Sequence, residues 1–87
     1  MPQVEQTLEM RGMPRALIVD YLLSIGGLPV GQGKFLGSDW EVIIGDEHSI
    51  NLGSIRIPAR ELIFRAEEEL CRSMVTAFRL EFLSAGG

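Results

Sequence analysis

The chain has 87 residues, a net charge of −4 and a hydrophobic fraction of 46%, so we expect residues 1–87 to form a single domain with one thin core. Its eight basic residues stand singly along an acidic chain, which argues against binding to nucleic acid or to an anionic membrane surface. No apolar run reaches about 18 residues, so no membrane-spanning segment is expected. The single cysteine excludes an intrachain disulfide, and a cytoplasmic location is the default expectation.

A strand and a helix open the chain. Polar and apolar residues alternate over Val4–Arg11, which predicts a half-buried strand. Pro14–Ile25 follows as a helix that begins with proline and is ended by Gly26-Gly27. Only Asp20 and Ser24 form a clear polar side, so the apolar arc covers more than half of the circumference. A helix on the protein surface usually has a narrower apolar stripe. We therefore expect this helix either to be covered by other elements on two sides or to carry an exposed apolar strip.

The middle of the chain consists of short apolar segments separated by turn signals, a pattern typical of an antiparallel meander. The third of these segments is broken near Gly53 and is expected to end at Pro58. The four predicted strands are Lys34–Leu36, Trp40–Ile44, Ile50–Ile57 and Glu61–Arg65.

The last segment, from Glu67 to Ser84, predicts an amphipathic helix. Its apolar residues fall within one stripe, and three glutamates occupy the first turn, where the helix dipole favours them. A strand is the rival interpretation, because residues 78–82 also alternate. The i, i+4 series favours the helix because it persists over several turns; it comprises Leu70, Met74, Phe78 and Phe82.

Together these elements predict a two-layer α+β domain in the order strand, helix, four strands, helix. Two apolar helix faces pack against one antiparallel sheet in such an arrangement. The sequence contains no internal repeat and no low-complexity segment.

Few residues suggest chemistry. His48 lies in a polar segment expected to be an exposed hairpin tip, and Cys71 lies on the apolar stripe of the last helix, where a core role is expected. The glycine-rich loop before Lys34 lacks the spacing of a phosphate-binding loop, because Leu28 stands where the first glycine is required. We therefore predict no catalytic residues, metal site or cofactor, and a protein that is not an enzyme.

The sequence favours a non-catalytic binding or protein-interaction domain. The first helix is apolar on too many sides, which points to self-association, most simply as a dimer, or to a protein partner. A small apolar ligand between the sheet and the helices is an alternative occupant. Trp40 is either an interface anchor or a core residue. The interface candidates are Leu17, Val19, Leu22, Leu23 and Trp40.

A second function is suggested by Gly86 and Gly87. Ubiquitin-like sulfur carriers end in Gly-Gly, and the terminal carboxylate is their reactive group. The same two residues are also expected after a helix, where glycine is a common cap. The alternative hypothesis is thus a sulfur carrier that acts through Gly87.

Three segments of the chain resemble one known family: Leu8–Pro14, the helix ending at Gly26-Gly27, and Phe78–Gly87. The resemblance is to the small domain that follows a ubiquitin-like module in some MoaD-related proteins, relatives of the small subunit of molybdopterin synthase. It implies a TATA-binding-protein-like fold with the element order predicted above, and a link to the proteins of molybdenum cofactor synthesis. It implies no catalytic residues, because that family has none to carry over.

Overall fold

The computed structural model describes residues 3–83. An antiparallel sheet and two helices make up this range, which confirms the α+β class. The elements in chain order are β1 (Gln3–Arg11), α1 (Arg15–Ser24), β2 (Leu28–Pro29), β3 (Lys34–Leu36), β4 (Trp40–Ile44), β5 (His48–Leu52), β6 (Ile55–Glu67) and α2 (Glu68–Leu83).

The thirteen-residue strand β6 organises the sheet. It pairs with β1 along one side and with β4 and then β5 along the other, and the strand order is β1-β6-β4-β3-β2. Between β4 and β5, residues 45–47 stand opposite only two residues of β6, which is a β-bulge. The extra residue of the bulge reverses which β5 side chains face the helices. As a result, the aliphatic residues of the β5–β6 hairpin lie on the face of the sheet without helices.

Both helices pack on one face of the sheet. The even-numbered residues of β6 point toward them, and Leu62 and Phe64 are essentially inaccessible to solvent. Phe78 of α2 stacks edge-on against Phe64, with ring centroids 5.6 Å apart, and against Tyr21 of α1 at 5.5 Å. This aromatic cluster joins the two helices to the sheet and forms the centre of the core.

The N-terminus of α2 begins where the sequence predicts it. The carboxylate of Glu67 accepts hydrogen bonds from the backbone N–H groups of Glu69 (3.1 Å) and Leu70 (3.4 Å). Glu67 therefore caps the helix, while Glu68 and Glu69 occupy its first turn. The segment is a helix through Leu83, so the rival strand interpretation is wrong.

The prediction that a strand ends at Pro58 is also wrong, because β6 runs through it. The carbonyl of Pro58 accepts a hydrogen bond from the N–H of Gly12, just beyond the end of β1. The nitrogen of a strand residue points to the same side as its carbonyl, so the missing N–H removes no bond to β5.

Two smaller differences concern the turns. The predicted hairpin tip around His48 is instead the β-bulge, and the reversal lies at Gly53 (φ +64) and Ser54, between Leu52 and Ile55. Glycine at the first position of this two-residue turn suits a type II′ hairpin. The described residues also contain one strand more between the helices than predicted, the two-residue β2.

Candidate functional site

The five predicted interface residues occupy different environments. Leu17 and Leu23 are about half exposed, at 49% and 47%, and Val19 is half-buried. Leu22 has no exposed surface, because it shares with Ile18 the face of α1 that meets the sheet. It therefore belongs to the core and offers no contact surface of its own.

Trp40 is half-buried and packs against the core. Its indole lies on two backbone segments without side chains: a Cβ added to Gly37 would stand 2.0 Å from Trp40 Cε2, and one added to Gly27 would stand 2.7 Å from Trp40 Cη2. These close approaches explain why both positions are glycine. The ring closes the end of the core where α1 turns back to the sheet.

The two flanks of α1 have different surroundings, which accounts for its wide apolar arc. One flank carries Tyr21, whose ring contacts Phe78 and Phe82 of α2 at centroid distances of 5.5 Å. The opposite flank presents Val19 and Leu23 to a groove. One flank of α1 is thus covered by α2 and the other lines a groove, whereas the flanks of an ordinary surface helix are polar and solvated.

We call this concavity the α1 groove. It has a volume of about 630 Å³ and lies between α1, the β2–β3 turn and the β-bulge at residues 45–47. Phe35 and Ile44 contribute its apolar floor. Gly33, with φ +71, is required there because a Cβ would lie 2.7 Å from the carbonyl oxygen of Ile44. The volume is within the range of small-molecule sites.

A buried arginine lies at one end of the α1 groove. Arg60 is 8% exposed, yet it lines the groove with its neighbour Glu47. Its guanidinium donates to Glu47 Oε1 at 3.2 Å and to the Gly45 carbonyl at a long 3.4 Å. The Glu47 side chain is 59% exposed on the bulge. The arginine is thus fixed by burial, and its acidic partner is held from one side only.

The face of the sheet without helices carries a row of ion pairs across four strands. Arg65 pairs with Glu5 on β1 and with Glu41 on β4, and Lys34 on β3 approaches Glu41 with 2.9 Å between Nζ and Oε2. The Lys34 ammonium holds the pKa of Glu41 below its ordinary value. The Glu5 carboxylate raises the pKa of Arg65. The row thus links side chains of β1, β6, β4 and β3.

The outer side of β1 is an open edge. The N–H of Gly12 points toward β6, so the even-numbered residues of β1 turn their backbone groups inward and the odd-numbered residues turn theirs outward. Within the described part of the chain, no strand pairs with this outer side. The residues with outward backbone groups are Gln3, Glu5, Thr7, Glu9 and Arg11.

The edge of the sheet formed by β2 is blocked by the shortness of this strand and by its proline. Strand β2 has only two residues, and the N–H of Val30 just after it bonds to the Lys34 carbonyl on β3. By alternation, the nitrogen of Pro29 points away from β3. A proline at the outward position leaves no donor for another strand, which is a known way to block an edge.

His48 and Cys71 lie on opposite faces of the sheet. His48 Nε2 is 3.7 Å from Glu9 Oε2 on the face without helices. Cys71 is buried on the side of α2 that faces the sheet, where its thiol donates to the Phe64 carbonyl at 3.5 Å. Burial raises the pKa of the Cys71 thiol, against a smaller lowering by the Gln6 backbone. The predicted core role of Cys71 is confirmed, and the two residues do not form a pair.

Residues 3–83 contain neither a metal site nor a membrane-spanning helix. In this range no three His, Cys, Asp or Glu side chains converge as a metal site. No helix in the same range is long and apolar enough to cross a membrane. Gly86 and Gly87, the predicted carrier terminus, lie outside the described residues.

Sequence reasoning missed both the open β1 edge and the Arg60–Glu47 pair. An edge depends on strand order, which the period-two pattern of β1 does not encode. The pair joins residues thirteen positions apart across the bulge. A charged residue at an even, core-facing position of β6 was the available signal for Arg60.

Comparisons with known proteins identify a family. A search of curated proteins found no match. The sequence model described as "Archaeal MoaD-like protein" matches residues 6–87. This range includes the last six of the nine residues of β1 and every later element of the fold. The chain therefore belongs to the archaeal MoaD-like family.

Proposed function

We propose that this MoaD-like protein is a non-catalytic interaction domain that self-associates through the open edge of β1. The observation that carries the proposal is the nine-residue edge strand, whose odd-numbered residues turn unpaired backbone groups outward. Such a row of donors and acceptors is a template for another strand. A second copy of the chain supplies a strand of the same length.

Charge complementarity supports one register for this pairing. When Leu8 lies on a two-fold axis, Glu5 faces Arg11 of the second copy and Thr7 faces Glu9. When Thr7 lies on the axis, Glu5 faces Glu9 of the second copy, and like charges directly opposite destabilise a strand pair. The first register joins opposite charges twice per dimer, because a two-fold interface repeats each contact.

Burial supports the same register. Leu8 is only half-buried in one chain, although its side chain points to the core face of the sheet. Pairing about Leu8 brings the two Leu8 side chains together beneath the α2 helices. This contact removes further apolar surface from water, which favours association.

Sedimentation equilibrium tests self-association directly. We expect a dimer of this 9.6 kDa chain at about 100 μM and dissociation on dilution, because one pair of edge strands buries a modest area. A chain that remains monomeric at this concentration contradicts the proposal. Small-angle scattering then distinguishes an edge-to-edge dimer from a face-to-face one, because the former is longer.

Sulfur transfer through Gly87 is the second candidate, supported by the MoaD-like family match and by the Gly86-Gly87 sequence. It ranks second because a helix, α2, leads toward these residues, whereas a strand leads into the tail of ubiquitin-like carriers. Intact mass after incubation with ATP, a carrier-type adenylating enzyme and a sulfur donor tests it. A gain equal to the exchange of one oxygen for sulfur supports the carrier; an unchanged mass rejects it.

A further inference from the structure

The geometry points to the α1 groove as a binding site for a small amphipathic carboxylate, with Arg60 holding the carboxylate and the aliphatic wall of α1 holding the apolar body. This site is independent of the β1 edge, because the groove is formed on the side of β2, β3 and β4. Its failure or success leaves self-association untouched.

Arg60 has the properties of an anchoring group. Its guanidinium is nearly buried but lines the groove, and its two observed contacts, to Glu47 and the Gly45 carbonyl, use only part of its five N–H donors. A planar guanidinium held in place by burial is suited to a bidentate bond with a carboxylate. Arginine is preferred over lysine at such sites because its fork is preorganised.

Glu47 acts in this proposal as an internal stand-in for the ligand. Its carboxylate contacts Arg60 at 3.2 Å while more than half of its side chain is exposed. Arg15 and Asp46 also line the groove, so its four formal charges cancel. An external anion therefore gains most by replacing Glu47 on Arg60. Displacement of Glu47 is inexpensive, because its own side chain is exposed and the incoming carboxylate leaves the buried guanidinium paired.

The remaining walls select the apolar part of the ligand. Val19 and Leu23 line one side of the groove, and Phe35 and Ile44 line its floor. Leu23 is 47% exposed in the free chain, so a bound hydrocarbon removes its side chain from water. Neither an inorganic anion nor a neutral hydrocarbon uses both parts of this site.

The test is a titration with sodium octanoate followed by backbone amide shifts in NMR spectra, with octan-1-ol as the neutral control. We expect octanoate to shift amides around Val19, Leu23 and Gly45, and to bind more tightly than octan-1-ol. Glu47→Gln removes the competing charge and should tighten octanoate binding about threefold. Arg60→Lys keeps the charge but loses the fork and should weaken it about tenfold.

Leu23→Glu keeps the test decisive if Arg60→Lys does not fold. It places a negative charge at an exposed position of the wall and should weaken octanoate binding more than octan-1-ol binding. The proposal is overturned if Glu47→Gln leaves octanoate affinity unchanged or lowers it. It is equally overturned if the two probes bind alike, or if the shifted amides lie outside the groove.

Discussion

The β1 edge and the β2 edge of the sheet contrast in length and composition. At one edge, β2 has two residues, and its outward position is a proline. At the other edge, β1 has nine residues, and its five outward positions all carry N–H groups. Both edges belong to the same 87-residue chain, so composition as a whole does not account for the difference. Proteins commonly block edges that must stay unpaired, and here the β2 edge is blocked whereas the β1 edge is not.

The contrast also involves the covering helices. α2 packs on β1 and β6, and α1 faces β3 and β4. The outward backbone groups of β1 lie at the edge of the sheet, whereas α2 packs on its face. The charged side chains of β1 modulate that edge without closing it, because they include complementary acids and one base, Arg11. From this contrast we infer that β1 selects a partner strand by its charge pattern.

The largest expected effect comes from giving β1 the feature that blocks β2. Thr7→Pro removes an outward N–H at the centre of the edge without removing a bond to β6. Because the two-fold axis repeats the loss, we expect the dimer dissociation constant to rise about a hundredfold or more. Sedimentation equilibrium measures it.

Pro29→Thr is the matched control at the other edge. It restores an outward N–H to a strand of only two residues, and we expect the dimer constant to stay the same. A dimer that survives Thr7→Pro, or one that Pro29→Thr strengthens, would place the interface elsewhere.

Charge substitutions on β1 test the register in which the two edge strands pair. Glu5→Arg places like charges opposite each other twice in the Leu8-centred dimer and should weaken it about tenfold. The double variant Glu5→Arg with Arg11→Glu restores opposite charges and should recover most of the affinity. Stronger association of the single variant would instead indicate the Thr7-centred register.

A smaller expected effect is that dimerisation slows the local opening of β1, which the alkylation rate of Cys71 measures. Its thiol lies under the sheet beside the Gln6 backbone, and burial raises its pKa, so little thiolate is present at neutral pH. Local opening of the edge strand exposes it. Alkylation by iodoacetamide, followed by mass spectrometry, should slow about threefold between dilute and concentrated protein. In Thr7→Pro the rate should not depend on concentration.

The smallest effect concerns the row of ion pairs on the face of the sheet without helices. The hydrogen bond from Lys34 lowers the pKa of Glu41 below its ordinary value, so the stabilising contribution of this carboxylate is fully present above that ordinary value. It is lost as the pH falls through the lowered value. Glu41→Gln in the monomeric Thr7→Pro background should therefore reduce unfolding free energy slightly at pH 7 and leave it unchanged in acid. Urea denaturation at both pH values measures this, and an equal loss at both would contradict the assignment.

Much of the fold follows from local patterns. The i, i+4 series beginning at Leu70 predicts α2, and the alternation over Val4–Arg11 predicts β1 within one residue. Pro58 misleads because its nitrogen faces the side on which β1 has just ended and not β5, and that depends on the register with β1. Local patterns thus predict elements better than they predict where a long strand continues.

The candidate sites were harder to predict because they depend on contacts between distant residues. The apolar excess of α1 indicates an unusual environment, but it does not separate Leu22 in the core from Leu23 in the groove. Neighbouring helix positions differ by about 100° in direction, and the placement of both helices decides which side is covered. The TATA-binding-protein-like fold implied by the resemblance stays a prediction, whereas the MoaD-related family is confirmed.

Backbone amide hydrogen exchange in concentrated protein is the most direct test of self-association through β1. The odd-numbered and even-numbered residues of this strand serve as internal controls for each other. Even-numbered amides such as Leu8 bond to β6 in either state and should be protected. Paired edges predict that the amides of Glu5, Thr7 and Glu9 are protected as well. In Thr7→Pro, where position 7 carries no amide, those of Glu5 and Glu9 should lose this protection. Fast exchange at these odd positions beside a protected Leu8 would contradict self-association through β1.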